Sequence, residues 1–183
     1  MKTRLEQHEL FPQKLPNSLL NRIKETLTYL NNENLSGNIA DIGEINPMCI
    51  AIKNHFNIKI DSINTDFNYP FKTIKKYDVI FCLEILEHLF NPLLFLEQLK
   101  NILTDNGYIY LSTPYQYPQI LKAIHHYHEI PTDRINWLFD AAKLNIVNIN
   151  NITIAGNWYN HINGIKPLLR YFQKTRMFKL KAN

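Results

Sequence analysis

The chain has 183 residues, 45% of them hydrophobic and 20% charged, with a formal net charge of +4 at pH 7. These values are typical of one globular domain with a sizeable core and exclude an intrinsically disordered chain. No apolar run reaches the roughly 18 residues that a membrane-spanning helix needs. The N-terminus also lacks the apolar stretch of a secretory signal, so a cytoplasmic protein without a membrane partner is expected.

Cysteine usage and charge distribution give two further expectations. Cys49 and Cys82 both lie in apolar segments, as expected of core residues in a reducing compartment rather than of a disulfide. Basic residues are concentrated near the C-terminus, in KPLLRYFQKTRMFKLKAN. Lysine and asparagine are abundant throughout, however, so we interpret the positive charge as compositional and expect no nucleic-acid partner.

The first half of the chain predicts two helices and two or three strands. A polar arm, residues 1–16, precedes an amphipathic helix with Asn17 or Ser18 as its N-cap. GNIADIG predicts a strand, and MCIAIKNHF predicts the helix after it, with Asn46 as N-cap and Pro47 in the first turn. IKIDSIN predicts a second strand, and YPF is a short candidate for a third. The apolar positions of the first helix recur at helical spacing: Leu19, Leu20, Ile23, Leu27 and Leu30.

The middle of the chain continues the alternation of strands and helices. YDVIFCLEIL is apolar throughout, which is typical of a parallel strand buried on both faces. Asn91 and Pro92 are expected to cap and begin the helix LLFLEQLKNIL. Asp105, Asn106 and Gly107 are expected to turn the chain into the strand YIYLSTP.

The last third predicts further elements of the same kind. QYPQILKAIHHYHEIP is expected to be a connection with a short helix, and TDRINWLFDAAKL a helix capped by Thr132 or Asp133. NIVNINNITIA predicts a sixth strand, KPLLRYFQK a helix, and RMFKLKA a seventh strand at the sheet edge. This order predicts an α/β fold with a Rossmann-like, doubly wound, mostly parallel sheet of six or seven strands and helices on both faces. We expect one domain over 1–183, with a core at 17–155 and a C-terminal helix and strand at 156–183.

Ligands of open α/β sheets bind beyond the carboxyl ends of the strands. Several residues expected there are acidic, which suits ribose hydroxyls, an exocyclic amine and positive charge, and repels a pyrophosphate. The positions concerned are Asp41 to Pro47, Asp61, Asp66, Leu83 to His88, and Ser112 to Tyr115.

The stretch from Tyr77 to Pro114 resembles the second half of a class I S-adenosylmethionine-dependent methyltransferase core of the small-molecule type. The resemblance rests on an E-x-x-E-H segment after the fourth strand and on the fifth strand, G-x-x-x-x-S-T-P. It extends over most of Ile39 to Val147. It implies S-adenosyl-L-methionine as cofactor and methyl transfer to a small-molecule acceptor that the sequence does not identify.

The resemblance also implies which residues bind the cofactor. Asp41 and Gly43 match the motif that contacts the methionine moiety. Asp61 would hold the ribose hydroxyls and Asp66 would face the adenine amine, so that the three carboxylates converge around a hollow for the adenosyl group. The implied cofactor-binding positions are Asp41, Gly43, Glu44, Asp61, Asp66, Leu83 and Glu84.

The chain departs from the family pattern at Ile45 and Pro47, which occupy the positions of the second and third glycines. A non-glycine residue in a left-handed backbone conformation costs roughly 1–2 kcal/mol, which corresponds to about a tenfold loss of cofactor affinity. A different backbone conformation of the loop avoids this cost. An Ile45 side chain in the methionine pocket would instead favour a catalytically inactive methyltransferase-like domain that acts as a partner or regulatory subunit. A Rossmann domain for NAD or a nucleotide sugar is disfavoured, because G-x-G-x-x-G is absent and Glu44 lies at the phosphate position.

Acceptor and catalytic residues are expected after the fourth and fifth strands. The resemblance places the connection HHYHE, His125 to Glu129, over the acceptor pocket, so His126 and Tyr127 are candidate substrate contacts. Tyr115 is a further candidate, because it directly follows the fifth strand. His88, His126 and His128 are candidate general bases, which an acceptor needs only if it loses a proton. A metal site needs three or four ligands, and no partner segment for HHYHE is evident, so we expect no metal. Whether the chain forms a homodimer or a partner complex stays open.

Overall fold

The computed structural model describes residues 15–115, 126–153 and 174–183. The helices expected in QYPQILKAIHHYHEIP and KPLLRYFQK lie largely or wholly outside these ranges, as does the polar arm. Within the described residues, no helix is both long and apolar enough to cross a membrane. The elements are α1 (Asn17–Leu30), β1 (Ile39–Ile42), α2 (Pro47–Phe56), β2 (Asp61–Ile63), β3 (Tyr77–Leu83), a 3₁₀ turn (Leu86–His88), α3 (Pro92–Asn101), β4 (Leu103–Pro114), α4 (Thr132–Ala141), β5 (Leu144–Thr153) and β6 (Lys174–Ala182).

The strands form one six-stranded sheet in the order β2-β1-β3-β4-β6-β5. Strands β2, β1, β3 and β4 are parallel neighbours, whereas β6 runs antiparallel between β4 and β5. The chain leaves β1 towards β2 and returns on the other side of β1 to form β3. The carboxyl ends of β1 and β3 therefore flank the topological switch point, where ligands of such sheets bind. The predicted Rossmann-like, mostly parallel sheet is confirmed.

Both faces of the sheet are covered by helices, as predicted. Alternate residues of β3 point to opposite faces, so Val79 and Phe81 pack with α1 and α2, while Ile80 and Cys82 pack with α3 and α4. Both sets are buried. This explains why YDVIFCL is apolar at every position rather than at every second one.

The prediction of an edge strand at RMFKLKA is wrong in its position. Lys174–Ala182 forms the interior strand β6, and β5 is the edge strand. The basic residues of β6 suggested an edge, but Arg176 is buried and the Lys179 ammonium lies 2.5 Å from a carboxylate oxygen of Glu33. Paired polar side chains therefore allow a charged sequence to occupy the middle of the sheet.

The short strand expected at YPF is absent. The chain turns here, because the Tyr69 amide donates to the Asp66 carbonyl (3.3 Å) and the Phe71 amide donates to the Gln98 side chain (2.5 Å). Asp105, Asn106 and Gly107 lie within β4 rather than in a turn before it. The pairing of β3 with β4 shifts at this point, which identifies a bulge.

Two of the four predicted helix caps are confirmed. The Asn46 side chain accepts from the Met48 and Cys49 amides, and the Asn91 side chain accepts from the Leu94 amide. The caps predicted for α1 (Asn17 or Ser18) and α4 (Thr132 or Asp133) are wrong. Pro16 and Pro131 occupy those cap positions without a capping side chain. The Thr132 hydroxyl instead accepts a bond from Arg176.

Replacing Asn46 by alanine is expected to destabilise the protein by about 1 kcal/mol, because two amides at the start of α2 lose their acceptor. For a chain of this size the melting temperature should fall by roughly 2–4 °C, which thermal unfolding followed by circular dichroism measures. Asn54→Ala, at an exposed position inside α2, is the control and should cause no loss. Equal stability of the two variants would contradict the capping role.

Candidate functional site

A cavity of about 130 Å³ opens at the edge of the sheet where β1, β3 and β4 end. Helix α1 covers it from one side and the N-terminus of α2 from another. The residues that line it are Leu19, Arg22, Thr26, Asn46, Pro47, Met48, Leu83, Glu84, Ser112, Ile152 and Thr175.

Glu84 carries the negative charge of this cavity. One of its carboxylate oxygens accepts from the Ser112 hydroxyl at 2.8 Å, and the other lies 3.1 Å from an Arg22 guanidinium nitrogen. The Glu84 amide also donates to the Ser112 hydroxyl at 3.1 Å. Glu84 has a φ of 60°, a left-handed conformation that costs a non-glycine residue about 1–2 kcal/mol. Such strain is concentrated at functional sites.

The Arg22 side chain extends from α1 into the cavity and has a hydrogen-bond donor that no described residue uses. Its Nε atom is buried and has no hydrogen-bonding partner within the described residues. A buried unpaired donor is costly unless a ligand completes it. Arg22 and Glu84 together therefore present a donor and an acceptor of opposite charge to whatever enters the cavity.

The loop after β1 differs from a glycine-rich loop but does not block the cavity. Gly43 has a φ of 113°, and its backbone bonds to β2 through the Ile63 carbonyl and the Ser62 hydroxyl. Glu44 and Ile45 are exposed, and the Ile45 side chain is 63% accessible. Pro47 lines the cavity at the first position of α2. The obstruction by Ile45, which the sequence left as an alternative, is therefore not found.

Asp41 lies inside β1 and is buried beneath this loop. It is 2% exposed, and its Oδ2 atom has no partner within the described residues. Burial raises the pKa of Asp41 from 3.8 to about 7, and a hydrogen bond with the Cys49 side chain opposes the shift only partly. Asp41 is not among the residues that line the cavity.

The expected convergence of Asp41 with Asp61 and Asp66 is not observed. The pairing register with β1 makes Asp61 the first residue of β2, so it lies at the wrong end of the strand. Its carboxylate binds the Lys75 ammonium at 2.5 Å, and both side chains are nearly half exposed. Asp66 is exposed and accepts from the backbone and side-chain nitrogens of Asn68. Of the predicted cofactor residues, Leu83 and Glu84 line the cavity.

A second polar cluster follows Glu84 along the chain. Glu87, His88 and His126 each place one potential ligand atom within 4.8 Å of the others. The His88 and His126 rings pack edge to face with their centroids 4.9 Å apart. The Nδ1 atom of His126 lies 3.3 Å from the Glu129 carboxylate, which is buried. The fold thus brings together two predicted residues, His88 and His126, with the carboxylates of Glu87 and Glu129.

The remaining predicted residues have structural contacts. The backbone amides of Tyr127 and His128 donate to the Glu87 carbonyl, at 2.8 and 3.1 Å. The Tyr127 ring packs on Phe90, with 4.4 Å between centroids. The Tyr115 hydroxyl donates to Asn151 at 2.7 Å, and its ring packs against the Arg176 guanidinium. Their proposed roles in acceptor binding stay predictions.

Arg22 was missed by sequence reasoning, although a signal existed. Leu19, Arg22 and Thr26 are spaced by three and four residues, so they share one face of α1. That face is the one directed at the cavity. An arginine and a threonine on the inner face of an amphipathic helix indicate a polar site beneath it.

The comparisons with known proteins agree with this geometry. A methyltransferase-domain family matches residues 14–149. A curated relative, the ubiquinone biosynthesis O-methyltransferase of Glaesserella parasuis serovar 5 (strain SH0165), is 36% identical over 66 residues; the match spans 34% of this chain and 28% of that relative.

Two solved structures resemble the fold. An S-adenosylmethionine-dependent methyltransferase from Clostridium acetobutylicum ATCC 824 has a TM-score of 0.59 at 10% identity, with 98% of this chain and 97% of that chain covered. A putative methyltransferase from Haloferax volcanii, in complex with the activator Trm112, has a TM-score of 0.60 at 13% identity, with 89% and 79% covered.

The fold, with its cleft at the switch point and its antiparallel β6, is that of the class I methyltransferases. The chain belongs to the methyltransferase-domain family that matches most of its length. The cofactor of this class is S-adenosyl-L-methionine, as the sequence resemblance implied.

Proposed function

We propose that this chain transfers a methyl group from S-adenosyl-L-methionine to an oxygen of a small-molecule acceptor. The observation that carries the proposal is the Arg22–Glu84 pair in the cavity at the switch point. A family match supports methyl transfer in general. The name of the Glaesserella parasuis relative, an O-methyltransferase, supports oxygen as the acceptor atom.

The charged pair suits the amino-acid end of the cofactor, which carries one carboxylate and one ammonium group. Arg22, with its unpartnered Nε, would hold the carboxylate, and Glu84 would hold the ammonium. Charge-assisted hydrogen bonds of this kind are the strong ones. A volume of about 130 Å³ is below the ≈ 300–1,000 Å³ of drug-sized ligand pockets. The cavity therefore fits one end of the cofactor, and the adenosyl end must lie beyond it.

For methyl transfer, the main role of the protein is to position the two reactants. Bound S-adenosyl-L-methionine supplies an electrophilic methyl group. The chain must align the acceptor for in-line attack and exclude competing water. If the acceptor loses a proton, His126 is the best-placed base, because the Glu129 carboxylate next to Nδ1 orients the ring and leaves the other nitrogen for the acceptor. His88 adjoins it.

Binding of S-adenosyl-L-methionine and of S-adenosylhomocysteine, measured by calorimetry, tests this proposal. Arg22→Met and Glu84→Gln should each weaken binding by roughly 10- to 100-fold, since a hydrogen bond to a charged group contributes about 1.5–3 kcal/mol. Arg134→Met is the matched control, because Arg134 is an exposed arginine of α4 that packs on Trp137. Equal affinity of the Arg22 and Arg134 variants would refute the assignment of this cavity.

The alternative is a methyltransferase-like domain without activity that serves a partner. The small cavity and the misplaced Asp61 favour it. The Haloferax volcanii neighbour was solved in complex with a methyltransferase activator, which supports a partner protein for this chain but not the loss of activity. Under this alternative, calorimetry gives no heat with either ligand at millimolar concentration, while the protein remains folded.

A further inference from the structure

We propose that Glu87, His88 and His126 form a binding site for a divalent transition-metal ion. Their potential ligand atoms all lie within 4.8 Å of one another. Three protein ligands with open remaining positions are the usual composition of a catalytic zinc site. The proposal concerns ion binding by these side chains and does not depend on methyl transfer.

Glu87 supplies the observation that points to a missing ligand. Its side chain is 1% exposed, yet neither carboxylate oxygen has a hydrogen-bonding partner within the described residues. The nearby Thr113 hydroxyl is also buried and has no hydrogen-bonding partner within the described residues. A buried carboxylate is normally paired or bound to a metal. Within the described residues, both carboxylate oxygens of Glu87 are therefore available to a ligand.

The backbone holds the three groups together before any ion arrives. The Tyr127 and His128 amides donate to the Glu87 carbonyl at 2.8 and 3.1 Å, which fixes the segment of His126 against the 3₁₀ turn of Glu87 and His88. A site assembled in this way loses little conformational entropy when it binds an ion.

Glu129 completes the arrangement behind His126. Its buried carboxylate lies 3.3 Å from Nδ1 of His126. Metal-binding histidines almost always donate their second nitrogen to a carboxylate or carbonyl, which orients the ring. With Nδ1 engaged by Glu129, Nε2 of His126 is left as the ligand atom. When an ion is bound there, His126 no longer serves as the base, and the ion would lower the pKa of the acceptor hydroxyl in its place.

The donor set indicates the kind of ion. Two imidazoles and one carboxylate favour zinc, iron(II), cobalt or manganese over magnesium and calcium, which prefer oxygen ligands. His88 is exposed, so the ion would have positions open to solvent. A hydroxyl that occupied such a position would have a lowered pKa, which under the proposed function would activate an acceptor oxygen.

The sequence prediction of no metal rested on the lack of a partner for HHYHE. The structure provides that partner in Glu87 and His88, which are remote in sequence and adjacent in space. The E-x-x-E-H segment thus contributes Glu87 and His88 to the cluster, and the His-rich connection contributes His126.

Calorimetric titration of EDTA-treated protein with ZnCl₂, and separately with MnCl₂ and MgCl₂, tests the proposal in the absence of cofactor. We expect one Zn²⁺ per chain, with much weaker binding of Mg²⁺. His126→Gln and Glu87→Gln should each weaken Zn²⁺ binding by at least about 100-fold, and Glu129→Gln by roughly 10- to 100-fold. His55→Gln is the control, since that exposed histidine bonds Asn31.

A second readout keeps the test decisive if a buried variant folds poorly. Zn²⁺ should raise the melting temperature of the native protein, because a ligand that binds the folded state stabilises it. His88→Gln, at an exposed position, should abolish that rise while changing the metal-free melting temperature far less than the buried variants do. Absence of Zn²⁺ binding, or binding that none of the Glu87, His88 and His126 variants weakens, would overturn the proposal.

Discussion

At pH 8 the variant Asp41→Asn should be more stable than the native protein by up to about 4 kcal/mol. The pKa of Asp41 is raised from 3.8 to about 7 because the carboxyl group is buried. A pKa change of one pH unit corresponds to about 1.36 kcal/mol. The whole shift gives the loss in the free energy of unfolding when Asp41 ionises in its buried position. Asparagine has nearly the same shape and carries no charge, so it removes this loss.

The direction of the pH dependence follows from proton binding. Between pH 4 and 7 the unfolded chain has lost the Asp41 proton and the folded chain still holds it, so the folded state binds more protons. The stability that the protonated carboxyl provides is therefore fully present below pH 4 and is lost as the pH rises through 7. Glu87 also lowers the stability of the folded protein as the pH rises, but up to a higher pH, because burial raises its pKa to about 9.

Urea unfolding of both proteins at pH 4, 6 and 8 measures this effect. The stability difference between Asp41→Asn and the native protein should grow with pH. Some pH dependence should persist in the variant, since Glu87 still titrates. Asp105→Asn, in the exposed bulge of β4, is the control and should show no growing difference. A constant difference across the three pH values would mean that Asp41 is ionised in the folded protein throughout.

The fold was largely predictable because its signals are local. A strand that is apolar at every position, as Tyr77–Leu83 is, indicates burial on both faces, and Asn46-Pro47 and Asn91-Pro92 indicate helix starts. The place of β6 was not predictable in the same way. Its position between β4 and β5 depends on partners for Arg176 and Lys179 that lie far away in sequence.

The candidate site was predictable only where a residue directly follows its strand. Leu83 and Glu84 reach the cavity because β3 ends there. Asp61 was misplaced because its position depends on the register between β1 and β2, which a sequence pattern does not specify. The grouping of Glu87 with His126, and of Arg22 with Glu84, depends on how a distant helix or loop packs over the sheet edge. The spacing of residues in α1 places Arg22 on the inner face of the helix, but it does not show that Glu84 is its partner, and no spacing pairs Glu87 with His126.

Arg176 is expected to be among the most sensitive positions of the fold. Its guanidinium is buried and donates to the Pro114 carbonyl at 3.0 Å, the Ile130 carbonyl at 2.6 Å and the Thr132 hydroxyl at 3.3 Å. These acceptors lie at the end of β4 and at the start of α4. One side chain thus joins both ends of the connection that carries His126 and Glu129.

Replacing Arg176 by methionine should therefore destabilise the protein by about 3 kcal/mol or more, because buried carbonyls lose a charged donor. Arg176→Lys should have an intermediate effect, since one ammonium cannot reproduce the planar fork. Lys181→Met, a partly exposed position of the same strand, is the matched control and should change stability by less than about 0.5 kcal/mol. Urea unfolding measures all three. The destabilised variants should also bind Zn²⁺ more weakly while folded, since His126 is then less firmly held. Unchanged stability of Arg176→Met would show that the guanidinium does not hold this connection in place.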